Sequence, residues 1–235
     1  MQDMSPSYVD ASAGRTPVIL VGAPGREAQW IVPRLHFLRK SLSYGPVLVF
    51  ESEGMANGGI AEMAQELQEF ILSSDVLDSS NQRLVLVGHS VGGLVCAYFS
   101  DILAPQSGIR VGSVVCISTP WAGFQDAEGA KGWVQRLRAI GARCWVRAQN
   151  FSAKMQSDLQ AGSKVLEEIQ ALQVLPSSSR SESRPRFYNL AGSLDPLMAD
   201  SLDIARRNAF WCCILPHVGH SSVLLSRTVW EQVGL

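Results

Sequence analysis

The chain has 235 residues, 46% of them hydrophobic and 17% charged, with a formal net charge of −1. That apolar share suits one large α/β domain with a core on both faces of a sheet, and the near-zero charge gives no reason to expect nucleic acid as a partner. No apolar stretch approaches the ~18 residues of a membrane span, and the opening MQDMSPSYVDASAGR has neither the basic nor the long apolar region of a secretory signal. A cytoplasmic location is therefore expected, with an organelle left open.

Taken in chain order, residues 1–15 are expected to be a poorly ordered N-terminus and 16–235 a single domain. Six short apolar runs read as strands: Val18–Gly22, Pro46–Phe50, Leu84–Val87, Gly112–Ser118, Arg186–Ala191 and Phe210–Leu215. They are mostly continuous rather than alternating, the pattern of strands buried on both faces of a parallel sheet. Helical patterns fall between them. Ala28–Leu42, interrupted by Pro33, separates the first pair. Gly58–Ser74 separates the second, with Ile60, Met63, Ala64, Leu67, Phe70 and Ile71 on one stripe, and Val91–Leu103 separates the third. Strand–helix alternation of this kind predicts right-handed βαβ crossovers and a doubly wound, mostly parallel sheet of about six strands with helices on both faces.

The alternation breaks once. Between the fourth and fifth strands about 65 residues intervene, far more than an ordinary crossover needs. Two helical patterns lie in this insert, which ends in the serine-rich run PSSSRSESRPR (Pro176–Arg186), read as an exposed loop. The five cysteines (Cys96, Cys116, Cys144, Cys212 and Cys213) are odd in number and form no C-x-x-C, so buried thiols are expected rather than a disulfide framework or a metal site.

The chemistry-bearing stretch is LVLVGHSVGGLV, Leu84–Val95, where an apolar strand breaks at Gly-His-Ser-Val-Gly-Gly and resumes as an apolar helix. Gly88-His89-Ser90-Val91-Gly92 fits G-x-S-x-G. Small residues two before and two after the serine let strand and helix approach while the serine turns the corner and lifts its hydroxyl above the sheet. An ordinary glycine-rich βα turn would not require a serine there. The helix N-terminus adds the Val91 N–H and a positive dipole end beside any carbonyl that Ser90 attacks. Such a hydroxyl needs a base and an orienter for that base. Past the fifth strand lies Asp195, at the sheet edge where open α/β folds bind ligands. Past the sixth lie His217 and His220. His220 follows Gly219 and precedes Ser221 and Ser222, plausible caps for a final helix, so the turn chemistry favours it. Asp195 before Pro196 could instead merely start a turn, and Asp126, Asp200 and Asp203 are rivals, the last two on an expected helix. His89 should point away from the nucleophile, and His36 lies in a helix.

These pieces together resemble the α/β-hydrolases of the lipase and esterase kind. GHSVGG is similar to the lipase elbow, ISTPWAG (Ile117–Gly123) to a GTPHxG segment with Trp121 in place of histidine, DLQAGSKVLEEI (Asp158–Ile169) to an L-x-x-G-S helix, AGSLDPLM to the acid loop and VGHSSVLL to the histidine loop. The nearest flavour is that of bacterial-type lipases and GPI inositol-deacylase-like hydrolases. The resemblance implies an α/β-hydrolase fold, a Ser90–Asp195–His220 triad, no metal or organic cofactor, a small-molecule ester or lipid substrate, and substrate contacts from Pro24, His89 and Trp121. It also exposes a departure. The second oxyanion donor of the family follows a His-Gly pair, whereas LVGAPG (Leu20–Gly25) can place Pro24, which has no N–H, at that position. A shift of one residue gives the role to Ala23, with Gly25 as fallback. Finally, the stretch of about 121–175 reads as a helical lid or cap. Trp121–Lys154 carries six basic against two acidic residues, a local charge of +4, with Trp133, Leu137, Ile140 and Cys144 at helical spacing. That segment could meet a lipid surface or simply pack on its own domain. A non-catalytic binding homologue and an acyltransferase or thioesterase remain the alternatives to an esterase.

Overall fold

The computed structural model describes residues 16–22, 45–52, 58–77, 83–124, 151–173, 184–198, 200–209 and 211–233. The N-terminal 1–15, the Ala28–Leu42 pattern with His36, Ala23, Pro24 and Gly25, Asp126, and the helical pattern from Trp133 to Cys144 lie outside these residues.

Six strands, β1 (Val18–Val21), β2 (Val47–Phe50), β3 (Arg83–His89), β4 (Arg110–Ile117), β5 (Arg186–Gly192) and β6 (Trp211–Leu215), form one sheet in the order β2-β1-β3-β4-β5-β6. Every pairing is parallel. The chain lays down β2 on one side of β1 and then crosses back to put β3 on the other. The loops leaving β1 and β3 therefore diverge at the strand-order switch, where open sheets form a crevice.

The period-two alternation of side chains distributes these apolar runs between two cores. Ile19, Val21, Leu84, Leu86, Val114 and Cys116 face one way, onto helices α1 (Ile60–Ser73) and α2 (Val91–Tyr98). Val18, Leu20, Val85, Val87, Val115 and Ile117 face the other way, onto Val223, Leu224, Val229 and Trp230. The last two belong to helix α6 (Arg227–Val233). The expected stripe on α1 is buried at Ile60, Met63, Ala64, Leu67 and Ile71, with Phe70 partly buried.

Three local details differ from the sequence reading. Helix α2 widens into a π-helical turn over Phe99–Leu103 before a last α-helical turn, Ala104–Ser107. Pro105 stands just beyond it and has no N–H to return to the carbonyl four residues back, which disrupts the regular ladder there. The expected final helix is split: a 3-10 turn, Ser222–Leu225, ends at the extended Ser226 before α6 begins. Most of all, the boundaries 121–175 are too wide for a separate lid. Trp121, Phe151, Met155, Leu159, Leu166 and Ile169 are buried in the same core as α1 and α2, so α3 (Ala153–Asp158) and α4 (Lys164–Gln173) are part of the main body.

The insert also closes the end of α1. Gly59 at the N-cap has no side chain to accept from the first-turn N–H groups, and the Ile60 N–H donates instead to Asp158 Oδ2 at 2.9 Å, from 98 residues away. The Gly59 N–H donates to Glu62 Oε2 at 3.0 Å, Ser152 Oγ donates to the Gly58 carbonyl at 2.6 Å, and Lys154 pairs with Glu62. A carboxylate at this N-terminus also meets the positive end of the helix dipole. Asp158→Ala should therefore cost about 1 kcal/mol, read as a lower urea midpoint with an unchanged slope.

The β3–α2 corner is closely packed main chain against main chain. A Cβ on Gly88 would sit 2.5 Å from the Gly92 carbonyl oxygen, and one on Gly92 would sit 2.2 Å from the Val21 carbonyl oxygen, both backbone atoms that cannot swing aside. Gly92→Ala is expected to destabilise the fold by about 1–3 kcal/mol. Gly112→Ala in β4, whose nearest neighbour would be an ordinary 3.4 Å away, should shift stability by less than about 0.5 kcal/mol. Denaturant unfolding of the two variants checks the contrast.

Candidate active site

Ser90 occupies the corner between β3 and α2 with φ 54° and ψ −124°, a left-handed region that L-residues avoid. Its neighbours hold it there. The Ser90 N–H donates to the Ile117 carbonyl at 2.8 Å, and its own carbonyl accepts from Gly93 N–H at 3.1 Å. Being first in α2, the Val91 N–H has no carbonyl partner within the helix and points out of its N-terminus. Val91 N–H thus lies beside Ser90 at the positive end of α2. The partner expected from the β1 loop, Ala23, is outside the described residues; the end of β1 itself lies against the α2 N-terminus, as the Gly92–Val21 approach shows.

Two later loops converge on this corner. The β5 strand ends at Gly192 and runs into a 3-10 turn, Pro196–Met198. Asp195 uses its two oxygens for different tasks. Oδ1 accepts from Leu197 N–H at 3.0 Å and fixes the turn, while Oδ2 lies 2.8 Å from His220 Nδ1. Asp195 therefore both ties the turn and faces His220, each with a separate oxygen. A carboxylate can only accept there, so Nδ1 carries the proton and Nε2 is left as an acceptor. Ser90 Oγ stands 2.9 Å from that Nε2 and donates its hydroxyl proton to it. Asp195 is 5% exposed and Ser90 0%. In a site this dry, each hydrogen bond is stronger than it would be in water.

The other sequence-stated candidates fall elsewhere. Trp121 was expected at the substrate, but it is fully buried, donates Nε1–H to Asn189 Oδ1 at 3.0 Å and packs edge-on to Phe187. It is a core residue, and the hint in the sequence was Asn189, a lone amide inside an apolar strand. His89, expected to contact substrate, is 2% exposed and turns toward His220, whose carbonyl it reaches through Nε2 at 3.0 Å. His217 is an exposed residue with φ 59°, tied by its N–H to Ser193 Oγ at 2.9 Å. Asp203 is exposed on helix α5 (Leu202–Asn208), and Asp200 precedes that helix.

Burial pushes the Cys96 and Cys116 thiols well above their ordinary range, which keeps them protonated and unreactive. Cys212 is raised by the same cause, with Arg206 opposing it. Among the described residues no three His, Cys, Asp or Glu side chains gather as a metal site, and no helix is long and apolar enough to cross a membrane.

Known proteins agree on the fold. Solved structures share it at low identity. A carboxylesterase from the ammonia-oxidizing thaumarchaeon Nitrososphaera gargenis aligns with a TM-score of 0.59 and 14% identity over 97% of this chain and 92% of its own. The type II thioesterase of a yersiniabactin biosynthetic pathway aligns with a TM-score of 0.61 and 16% identity over 97% and 95%. A thermophilic esterase from Thermogutta terrifontis aligns with a TM-score of 0.55 and 17% identity over 97% and 91%. No curated protein sequence matches. A model of the alpha/beta hydrolase family matches residues 18–230, a span that runs from β1 into α6 and takes in both the serine corner and the two loops that meet it. The chain belongs to the alpha/beta hydrolase family.

Proposed function

We propose that this hydrolase cleaves carboxylic esters of hydrophobic acyl chains through an acyl-enzyme on Ser90. The observation that carries the reading is the continuous relay of 2.9 Å from Ser90 Oγ to His220 Nε2 and 2.8 Å from His220 Nδ1 to Asp195 Oδ2.

In the first step Ser90 Oγ attacks the carbonyl carbon and His220 Nε2 takes its proton. Asp195 stays ionised beside the resulting imidazolium and keeps its ring in register. The negative oxygen of the tetrahedral intermediate is held by Val91 N–H and the dipole end of α2, with Ala23 N–H as the second donor. His220 then returns the proton to the departing alkoxide, which leaves as the alcohol. Water attacks the acyl-serine with His220 again as base, releasing the acid and restoring Ser90. No cofactor enters these steps. Ser90→Ala should lower kcat/KM for short p-nitrophenyl esters by at least about 10⁴-fold and abolish fluorophosphonate labelling. A wild-type chain that is never labelled would favour the alternative, a binding protein that keeps the fold but lacks turnover because Pro24 spoils the second donor. A thioester substrate run beside the ester separates an esterase from a thioesterase.

Ser90 is fully buried. Between Trp121 and Lys154 the sequence is basic and aromatic, the composition of a segment that meets a lipid surface. Turnover of p-nitrophenyl esters is therefore expected to rise with acyl length and to rise again when anionic vesicles are added. A flat response to both would remove the lipid-directed part of the proposal.

A further inference from the structure

We infer that His89 is a positioning residue for His220: it ties the histidine loop to the same strand that carries the nucleophile. The inference rests on the triad reading above and adds a residue to it.

A buried imidazole in β3 needs an explanation. His89 is 2% exposed and follows a run of buried apolar residues, Leu84–Val87, with Gly88 between. A leucine there would continue the pattern, whereas an imidazole must be stripped of water and needs its polar atoms satisfied. Its Nε2 lies 3.0 Å from the backbone carbonyl oxygen of His220. A carbonyl only accepts, so Nε2 carries the proton and donates. The two rings also pack, with centroids 5.0 Å apart and planes tilted by 48°, within the range of aromatic contacts. One side chain thus fixes both the backbone and the ring face of the base.

Two other ties of this loop among the described residues show what the contact contributes. Leu194 N–H donates to the Val218 carbonyl at 2.9 Å, and His217 N–H to Ser193 Oγ at 2.9 Å. These bonds set the histidine loop against the acid loop, so they govern the distance from His220 to Asp195. They say nothing about the distance from His220 to Ser90. His89 is covalently next to Ser90 and reaches His220 directly, so it closes that second side. An imidazole displaced by an ångström would lose the hydroxyl proton transfer while keeping its carboxylate partner.

Three variants test this. His89→Leu removes the donor and keeps bulk. His89→Gln carries an amide N–H at about the reach of Nε2, and His89→Asn carries one that falls short. The leucine and asparagine variants should lose about 10–100-fold in kcat, as loss of a supporting contact typically does, with KM within about twofold. The rate of fluorophosphonate labelling at Ser90 should fall in parallel, and glutamine should recover most of both. Wild-type-like labelling and kcat in His89→Leu would overturn the inference while leaving the triad intact. Should the leucine variant not fold, equal rates for glutamine and asparagine would overturn it instead. A wild-type chain that neither turns over nor labels at Ser90 removes the triad reading, and this inference falls with it.

Discussion

Everything in the site depends on a backbone torsion. Ser90 sits at φ 54°, a conformation that costs of order 1–3 kcal/mol and persists only where its surroundings leave no alternative. Those surroundings are close contacts between main chains. The α2 N-terminus lies so near the end of β1 that no side chain fits at Gly92, and the strand before the corner lies so near α2 that none fits at Gly88. Ile117 and Gly93 then pin the serine's N–H and carbonyl. Strain at Ser90 is held by dense packing two residues away on either side, at Gly88 and Gly92. The same packing aims the serine hydroxyl and the helix N-terminus at one point.

The parallel sheet supplies the other half of the geometry. Because all six strands run the same way, every loop that follows a strand emerges at one edge. Asp195 follows β5 and His220 follows β6, which are neighbours in the sheet, so carboxylate and imidazole are delivered side by side with little intervening chain. β3 reaches them across β4, whose end supplies the Ile117 carbonyl to Ser90 N–H and whose next residue, Ser118, donates its N–H to the Leu190 carbonyl. A line of backbone hydrogen bonds therefore crosses the edge from Ser90 to β5. Strand spacing thus sets how far the Ser90 corner lies from the end of β5, and the turn at Pro196–Met198 places Asp195 from there.

How much of this is legible in the sequence follows from which forces are local. Continuous Val, Leu and Ile runs specify strands because each residue is buried on one face or the other. The six expected strands match the observed ones to within about two residues, the usual uncertainty of such ends. The serine corner is legible because glycine at two fixed offsets has a steric reason. The order of Ser90, Asp195 and His220 is legible because loops after successive strands share an edge. What escapes is what depends on a distant partner. Trp121 reads as a substrate contact until Asn189, 68 residues later, accepts its indole N–H. The insert reads as either a lid or a cap packed on its own domain, because nothing near Met155 or Leu166 announces that α1 and α2 complete their core. Asp158 caps a helix that begins 98 residues earlier, and no local pattern encodes that.

His89 belongs to the same class of hidden contact and shows why one motif position can serve two ends. The residue before the serine is the last of β3, so its side chain points to the face opposite that of Gly88, on the side where the histidine loop descends from β6. An apolar side chain there would fill the space and leave the His220 carbonyl to find a donor elsewhere. An imidazole fills it and supplies that donor. Placement of the base is thereby referred to the nucleophile's own strand, through a single residue, while the acid loop fixes it from the other side. Two independent references are what hold an imidazole at 2.9 Å and 2.8 Å from two different partners when either loop, taken alone, could drift by more than the tolerance of a proton transfer.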